Sequence, residues 1–221
     1  MMTLSPDTLS VLKNFSTINP NVVLKPGQKI KTISDAKNIL AIATVAEDFP
    51  HDMGIYDLNE FLSVFSLVQD GKVQFTPKAV KIANGKSHVQ YFFAEPSILT
   101  TPQKDITMPD CEVNLDLTKS MLDQVRKAAS VLGHTEMAIS GSPEGIKLRI
   151  LDSKDSTANT YEMEISSEAQ DKEYEFVLNI SNLKLMDGDY QVGISSKLIS
   201  NWKNTTKPVE YFIALEKNSK Y

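Results

Sequence analysis

Three cations offer the clearest chemistry in this sequence. Lys119 and Arg126 stand two helical turns apart, with Lys127 next to Arg126, so a helix through them stacks two long basic side chains on one face and sets a third beside them. Such a group binds anionic surfaces by charge and reads no sequence. Lys13 has a similar position, on the polar side of an earlier helical pattern with Ser10, Asn14 and Thr17. The residues for bond-making chemistry are scattered. His51, His88 and His134 fall at no metal-ligand spacing with another His or with Cys, and no nucleophile elbow, phosphate loop, dinucleotide fingerprint or zinc-protease motif occurs. Cys111 is the sole cysteine, which excludes an intrachain disulfide. Glu162, Glu164 and Glu168 would suit a divalent ion or a hydrolase, but alternate glutamates on a strand also describe the wet face of a sheet. Trp202, between Asn201 and Lys203, reads as a stacking platform in a polar loop.

The elements that would position these groups are legible from period and caps. Ser5-Pro6-Asp7 opens a helix with apolar stripe Leu9, Leu12, Phe15. Val22–Leu24, Lys29–Ile33 and Ile39–Val45 read as antiparallel hairpins broken by Lys25-Pro26-Gly27 and Ser34-Asp35-Ala36. Asp57 caps a second helix in which Leu58, Phe61, Leu62 and Phe65 face inward, and Asn59, Glu60, Ser63 and Ser66 face outward. An outer face of small hydroxyls with almost no charge fits either a neighbour other than bulk water or simply a two-turn amphipathic helix on a sheet, and periodicity does not decide between them. Asn84-Gly85 then joins two strands. Beyond Pro109 come a strand at Val113–Leu117 and a helix from Thr118 to Leu132 with apolar face Met121, Leu122, Val125, Ala128, Ala129 and Leu132. Strands at 136–140, 146–151, 160–165 and 173–180 follow, then a short helix Ser181–Met186 and strands at 190–194 and 209–215.

Each half therefore begins with an amphipathic helix, runs through β segments and inserts a short helix directly after a strand, an internal duplication of architecture. The expected domains are residues 1–94 and 111–221. Residues 95–110, with Pro96, Pro102 and Pro109, form a stiff connector. The chain has 221 residues, 41% of them hydrophobic, and a net charge of −5, so contact with nucleic acid must rest on segregated basic residues. No basic start with an apolar core opens the sequence and no apolar run approaches a membrane span, so a cytosolic protein with no membrane contact is expected.

The stretches Leu9-Ser10-Val11-Leu12-Lys13-Asn14-Phe15-Ser16-Thr17-Ile18-Asn19 and Ile55-Tyr56-Asp57-Leu58-Asn59-Glu60-Phe61-Leu62, with Ser66-Leu67-Val68 after them, resemble the DNA polymerase sliding clamps of T-even-like bacteriophages. The resemblance continues more weakly through Met137–Ser140, Gly188-Asp189-Tyr190 and Tyr211–Glu216. It implies an α+β clamp fold: two similar domains of helices on antiparallel sheets, three copies forming a ring with helices lining the hole and sheets outside. It further implies sequence-independent contact with double-stranded DNA, tethering of the DNA polymerase, opening by an ATP-driven clamp loader, a part in late transcription, the cytoplasm of an infected bacterium, and neither catalysis nor a cofactor. Carried onto this chain, Lys13, Lys119, Arg126, Lys127 and Lys184 become the DNA-facing cations on candidate pore helices. Ile98, Leu99 and Ile106 of the connector, with Phe212 and Ala214 of the last strand, become the partner-binding surface. Two departures stand out: Ser130 occupies a place expected to be basic, and the helix after Asp57 offers Glu60 and no cation. The alternative from another class is a non-enzymatic, β-rich phage structural protein.

Overall fold

The structure is a computed structural model and describes residues 3–68 and 70–221. The chain folds into two compact units interleaved in sequence: one takes the chain up to Asp105 together with Lys184–Met186 and Pro208–Tyr211, the other Ile106–Leu183, Asp187–Lys207 and Phe212–Tyr221. The change of unit between Asp105 and Ile106 falls inside the proline-bearing segment read as a connector.

In the first unit, α1 (Pro6–Ile18) starts at Ser5, whose hydroxyl accepts from the Thr8 N–H at 3.2 Å, and buries Thr8, Val11, Leu12, Phe15 and Ile18. β1 (Val22–Leu24), β2 (Gly27–Ile33), β3 (Ile39–Phe49) and β4 (Met53–Ile55) follow. The expected hairpin of the first two strands does not form: β1 pairs antiparallel with β4, Val22 opposite Ile55, and the hairpin belongs to β2 and β3, Ile30 opposite Ala43. All three residues of β1 and of β4 are buried, which a solvated hairpin cannot achieve. Gly54 of β4 lies so close to the chain at Ala94 that an added Cβ would stand 2.3 Å from the Ala94 carbonyl oxygen. α2 (Leu58–Leu67) is capped by Asp57, which accepts from the Asn59 and Glu60 N–H groups at 2.8 and 3.1 Å. β5 (Lys72–Phe75), β6 (Ala79–Asn84) and β7 (Ser87–Phe92) form a three-stranded antiparallel sheet, the turn closing at Asn84 opposite Ser87.

The start of α1 is fixed by a distant carboxylate. Glu47 of β3 is 8% exposed, and its two oxygens accept from the Ser5 N–H and the Thr8 hydroxyl. Burial pushes this carboxyl up, but the hydrogen bonds from Thr8 and Ser5 outweigh it and hold the group below its ordinary range. The unfolded chain therefore takes up a proton first as pH falls. The stabilisation is present in full above the unfolded value of about 4.3 and disappears as pH drops through the lower folded value. Replacing Glu47 with Gln should cost about 2 kcal/mol at neutral pH and flatten the acid limb of a stability-against-pH curve measured by urea unfolding. An acid limb identical to that of the parent would refute the assignment.

In the second unit, β8 (Val113–Leu117) precedes α3 (Lys119–Leu132), which opens at Thr118 and ends at Gly133, whose φ of 72° satisfies the left-handed cap. β9 (Glu136–Ser142), β10 (Gly145–Leu151), β11 (Tyr161–Ser166) and β12 (Tyr174–Asn179) make a sheet in the order β11-β10-β9-β12. The short helix expected at Ser181–Met186 is a single 3-10 turn, Ile180–Asn182. Leu183, Leu185 and Met186 beyond it are all buried, and a helix would turn some of them outward. β13 (Tyr190–Ser195) pairs with β8 and with β14 (Ile199–Asn204). β15 (Val209–Ala214) is divided between the units after Tyr211. Trp202 is no exposed platform: it is fully buried in β14, edge-on to Tyr190 at 6.4 Å, and its indole N–H donates to the Ser200 hydroxyl at 2.9 Å.

The outer edge of β12 is closed by the last residues of the chain. Glu175 and Lys220 exchange backbone hydrogen bonds of 2.9 and 2.8 Å, and the Ser219 hydroxyl accepts from the Val177 N–H at 2.9 Å. Tyr221 stacks on Phe176 at 5.9 Å, and the Lys172 ammonium lies 3.6 Å from its ring centre.

Candidate nucleic-acid interface

Each helix turns one stripe to its own sheet and leaves another to solvent. On α1 the exposed residues after the first turn are Ser10, Lys13 and Thr17. On α2 they are Asn59, Glu60, Ser63, Ser66 and Leu67, the last 70% exposed. On α3, at 100° per residue, Lys127 stands at the middle of the solvent face, Lys119, Asp123, Arg126 and Ser130 on one flank, Gln124 and Val131 on the other. The five predicted cations thus divide by environment.

Lys13 and Lys127 are exposed, and no ion pair joins either among the described residues. Lys119 and Arg126 are engaged. The Lys119 ammonium lies 2.7 Å from Asp123 and 3.7 Å from Asp187, and Arg126 lies 3.5 Å from Asp123 while also reaching the Leu183 carbonyl at 3.5 Å. The hydrogen bond between them holds the Lys119 ammonium above its ordinary range and the Asp123 carboxyl below its own. These groups are exposed, so the pairing is soft, and an approaching phosphate competes for both cations. Lys184 departs from expectation. It lies past the 3-10 turn and is on no helix; its ammonium donates to the Thr17 carbonyl in the last turn of α1, and its own carbonyl accepts from Asn14 at 3.0 Å. A cation there complements the negative end of the helix.

Four hydroxyls of α1 and α2 are turned inward. Ser16 and Thr17 donate to the Lys13 and Asn14 carbonyls at 2.9 and 2.7 Å, and Ser63 and Ser66 donate to Asn59 and Ser63 at 2.7 and 2.6 Å. With its proton committed to the helix, such a hydroxyl offers a polar, uncharged surface that does not grip a phosphate. The arrangement can hold a polyanion weakly, by a few mobile charges, and at no fixed register.

The predicted partner-surface residues differ just as widely. Ile98 ends a 3-10 turn, Pro96–Ile98, and is 68% exposed. Leu99 is 7% exposed, its methyl group facing Gly54, and Phe212 is also 7% exposed; both are core side chains first. Ile106 and Ala214 are half-buried. Sequence reasoning missed a recess of 690 Å³ in the second unit lined by Met108, Cys111, Asn114, Gly193 and Lys203. Burial pushes the Cys111 thiol up, as do Glu112 and Asp110, which favours the protonated thiol over the thiolate. Of the three glutamates with metal-ligand potential, Glu162 is engaged: it lies 3.1 Å from Lys147 and 3.8 Å from Arg149, which in turn meets Glu175 at 3.3 Å.

Comparison with known proteins gives the same architecture. The chain is similar to the sliding clamp of Enterobacteria phage T4, at 30% identity over 99% of this chain and 98% of that protein, and to the sliding clamp of Vibrio phage KVP40, at 29% over 97% and 99%. Among solved structures, the PCNA of A. fulgidus bound to the C-terminal region of FEN-1 superposes with a TM-score of 0.70 at 10% identity, covering 96% of each chain. That likeness is one of fold, α+β, with helices on antiparallel sheets in two clamp domains. Residues 5–99 match the family described as DNA polymerase processivity factor and residues 114–217 the C-terminal domain of the gp45 sliding clamp. Matched in both halves, the chain belongs to the sliding clamps, the DNA polymerase processivity factors of the T4 group of phages.

Proposed function

We propose that three copies of this clamp close head to tail around duplex DNA, that the solvent faces of α1 and α3 meet the duplex through Lys13, Lys119, Arg126 and Lys127, and that the ring does no chemistry. The supporting observation is the character of those faces, sparse exposed cations on both helices and, on α1, hydroxyls folded back on the helix itself. A ring that must slide is held by charge without being pinned at a register, and this surface meets both needs. Lys184 joins the set only through its place at the end of α1. A clamp loader that spends ATP opens the ring, the polymerase docks on it, and in the infected cell it also serves late transcription.

Closure into a ring needs two different, complementary surfaces on each copy. β7 ends the sheet of the first unit and β11 ends that of the second. Both edges carry large side chains, Phe92 at 68% exposure on β7 and half-buried Tyr161 on β11. Edge strands with apolar neighbours are the surfaces by which sheets of separate chains join. The test is native mass and retention on DNA: three times the 24.6 kDa chain in solution, with loaded protein held on a nicked circular plasmid and released when the plasmid is cut. A monomer that binds linear and circular DNA alike would overturn the ring.

The partner surface is proposed at Ile98, Leu99, Ile106, Phe212 and Ala214, with Ile98 the most exposed member. Ile98→Ser should reduce affinity for the polymerase about tenfold while leaving native mass and melting temperature unchanged, because an exposed side chain contributes little to the fold. Leu99→Ser is the wrong probe, since it opens the core. Polymerase affinity equal to that of the parent moves the docking site elsewhere.

A further inference from the structure

Four of the lysines surround one recess that no role above uses. It measures 420 Å³, lies wholly in the first unit, and is walled by β2 and the start of the connector: Lys25, Lys29, Lys31 and Lys104 stand around it, with Val23, Pro26 and Pro102 supplying apolar surface. Lys29 and Lys31 alternate with buried Ile30 and Thr32, so they share the outer face of β2. In a chain of net charge −5 this is a strong local reversal, four lysines against one aspartate, Asp105. Asp105 is already in place as a carboxylate. It is ion-paired with Lys31, and its side chain is 82% exposed.

We propose that this recess docks an acidic segment of a partner protein, with aspartates or glutamates on the lysines and interleaved apolar side chains against Val23, Pro26 and Pro102. Asp105 marks one carboxylate position from the chain's own side. Its carboxyl is held below the ordinary range by the hydrogen bond and charge of Lys31, and then by the charges of Lys29 and Lys25, so those two ammonium groups act on an anion placed there. A duplex is the poorer occupant. Its phosphates lie on a convex cylinder that cannot enter a recess of this size, and nothing in a phosphodiester backbone matches the proline and valine surface. Single-stranded nucleic acid would want aromatic stacking, and the lining holds no aromatic residue. Charge complementarity of this kind governs which partner docks and how fast it arrives.

The test uses the full-length clamp and a labelled twelve-residue peptide alternating leucine with aspartate and glutamate, followed by fluorescence anisotropy, with its asparagine and glutamine counterpart as control. The acidic peptide should bind and the amide peptide should not. K25E/K29E should lower the affinity at least about tenfold at unchanged melting temperature, K25Q/K29Q should lower it by less, and Asp105→Asn should raise it by about two- to threefold by releasing Lys31. Equal binding of the two peptides, or an affinity indifferent to K25E/K29E, overturns the proposal. Displacement of the peptide by a duplex oligonucleotide would give the recess to DNA, and an altered native mass in K25E/K29E would give it to a subunit contact; each of these also overturns it.

Discussion

Clamp carrying K13E and K127E should fold and assemble as the parent does, yet support extension products shorter by at least about tenfold in a primer-extension assay with its polymerase and loader. The two lysines are exposed, stand outside the ion-pair network of α3, and are repeated in every copy of a ring, so the substitution places like charge toward the duplex at each repeat. The effect should deepen as salt is lowered, because unscreened repulsion then reaches further. A paired control separates this from general damage. K119Q/R126Q should cost less, since Asp123 already offsets those two cations, and Asp123→Asn should strengthen retention on DNA by freeing them. Normal product length in K13E/K127E would remove α1 and α3 from the DNA-facing surface.

Loss of Trp202 should have the largest effect on stability. Trp202→Ala is expected to cost about 3–5 kcal/mol, a large share of the roughly 5–15 kcal/mol that holds an ordinary domain together. The side chain is fully buried against Tyr190, and its N–H meets a Ser200 hydroxyl that itself donates to the Ile213 carbonyl at 2.9 Å. Trp202→Phe keeps much of the volume and removes only that donor, so it should cost about 1–2 kcal/mol. Urea unfolding followed by circular dichroism distinguishes the two. A Trp202→Ala midpoint within error of the parent would contradict the packing described.

The elements that were legible in the sequence are those whose determinants are local. Ser5-Pro6, Asp57 and Thr118 each cap the helix they precede, and the apolar stripes of α1 and α3 give their inner faces directly. What was not legible depends on residues far apart. Nothing near Lys184 signals that its ammonium closes a helix ending 166 positions earlier at Ile18. Asn201, Lys203 and Asn204 disguise β14 as a loop, because burial there follows strand pairing and not composition: Ser200 and Asn201 are buried with Trp202. β1 reads as half of a hairpin from sequence alone, since the turn at Lys25-Pro26-Gly27 is visible there and the partner strand thirty residues on is not. Within the candidate site, helix geometry located the cations, but which of them were already matched by Asp123, Asp187 or Thr17 was a tertiary matter.

The closure of β12 by the last residues bears on how the molecule can be handled. A reporter joined after Tyr221 would not hang from a loose tail. It would start at the rim of a sheet, at a tyrosine in contact with Phe176 and Lys172 and one residue past the backbone pair of Lys220 with Glu175. Fluorophores and purification handles placed there should ride rigidly with the second unit, well suited to distance measurements. A bulky fusion would instead compete with that seal and leave the N–H and C=O groups of β12 open to other chains.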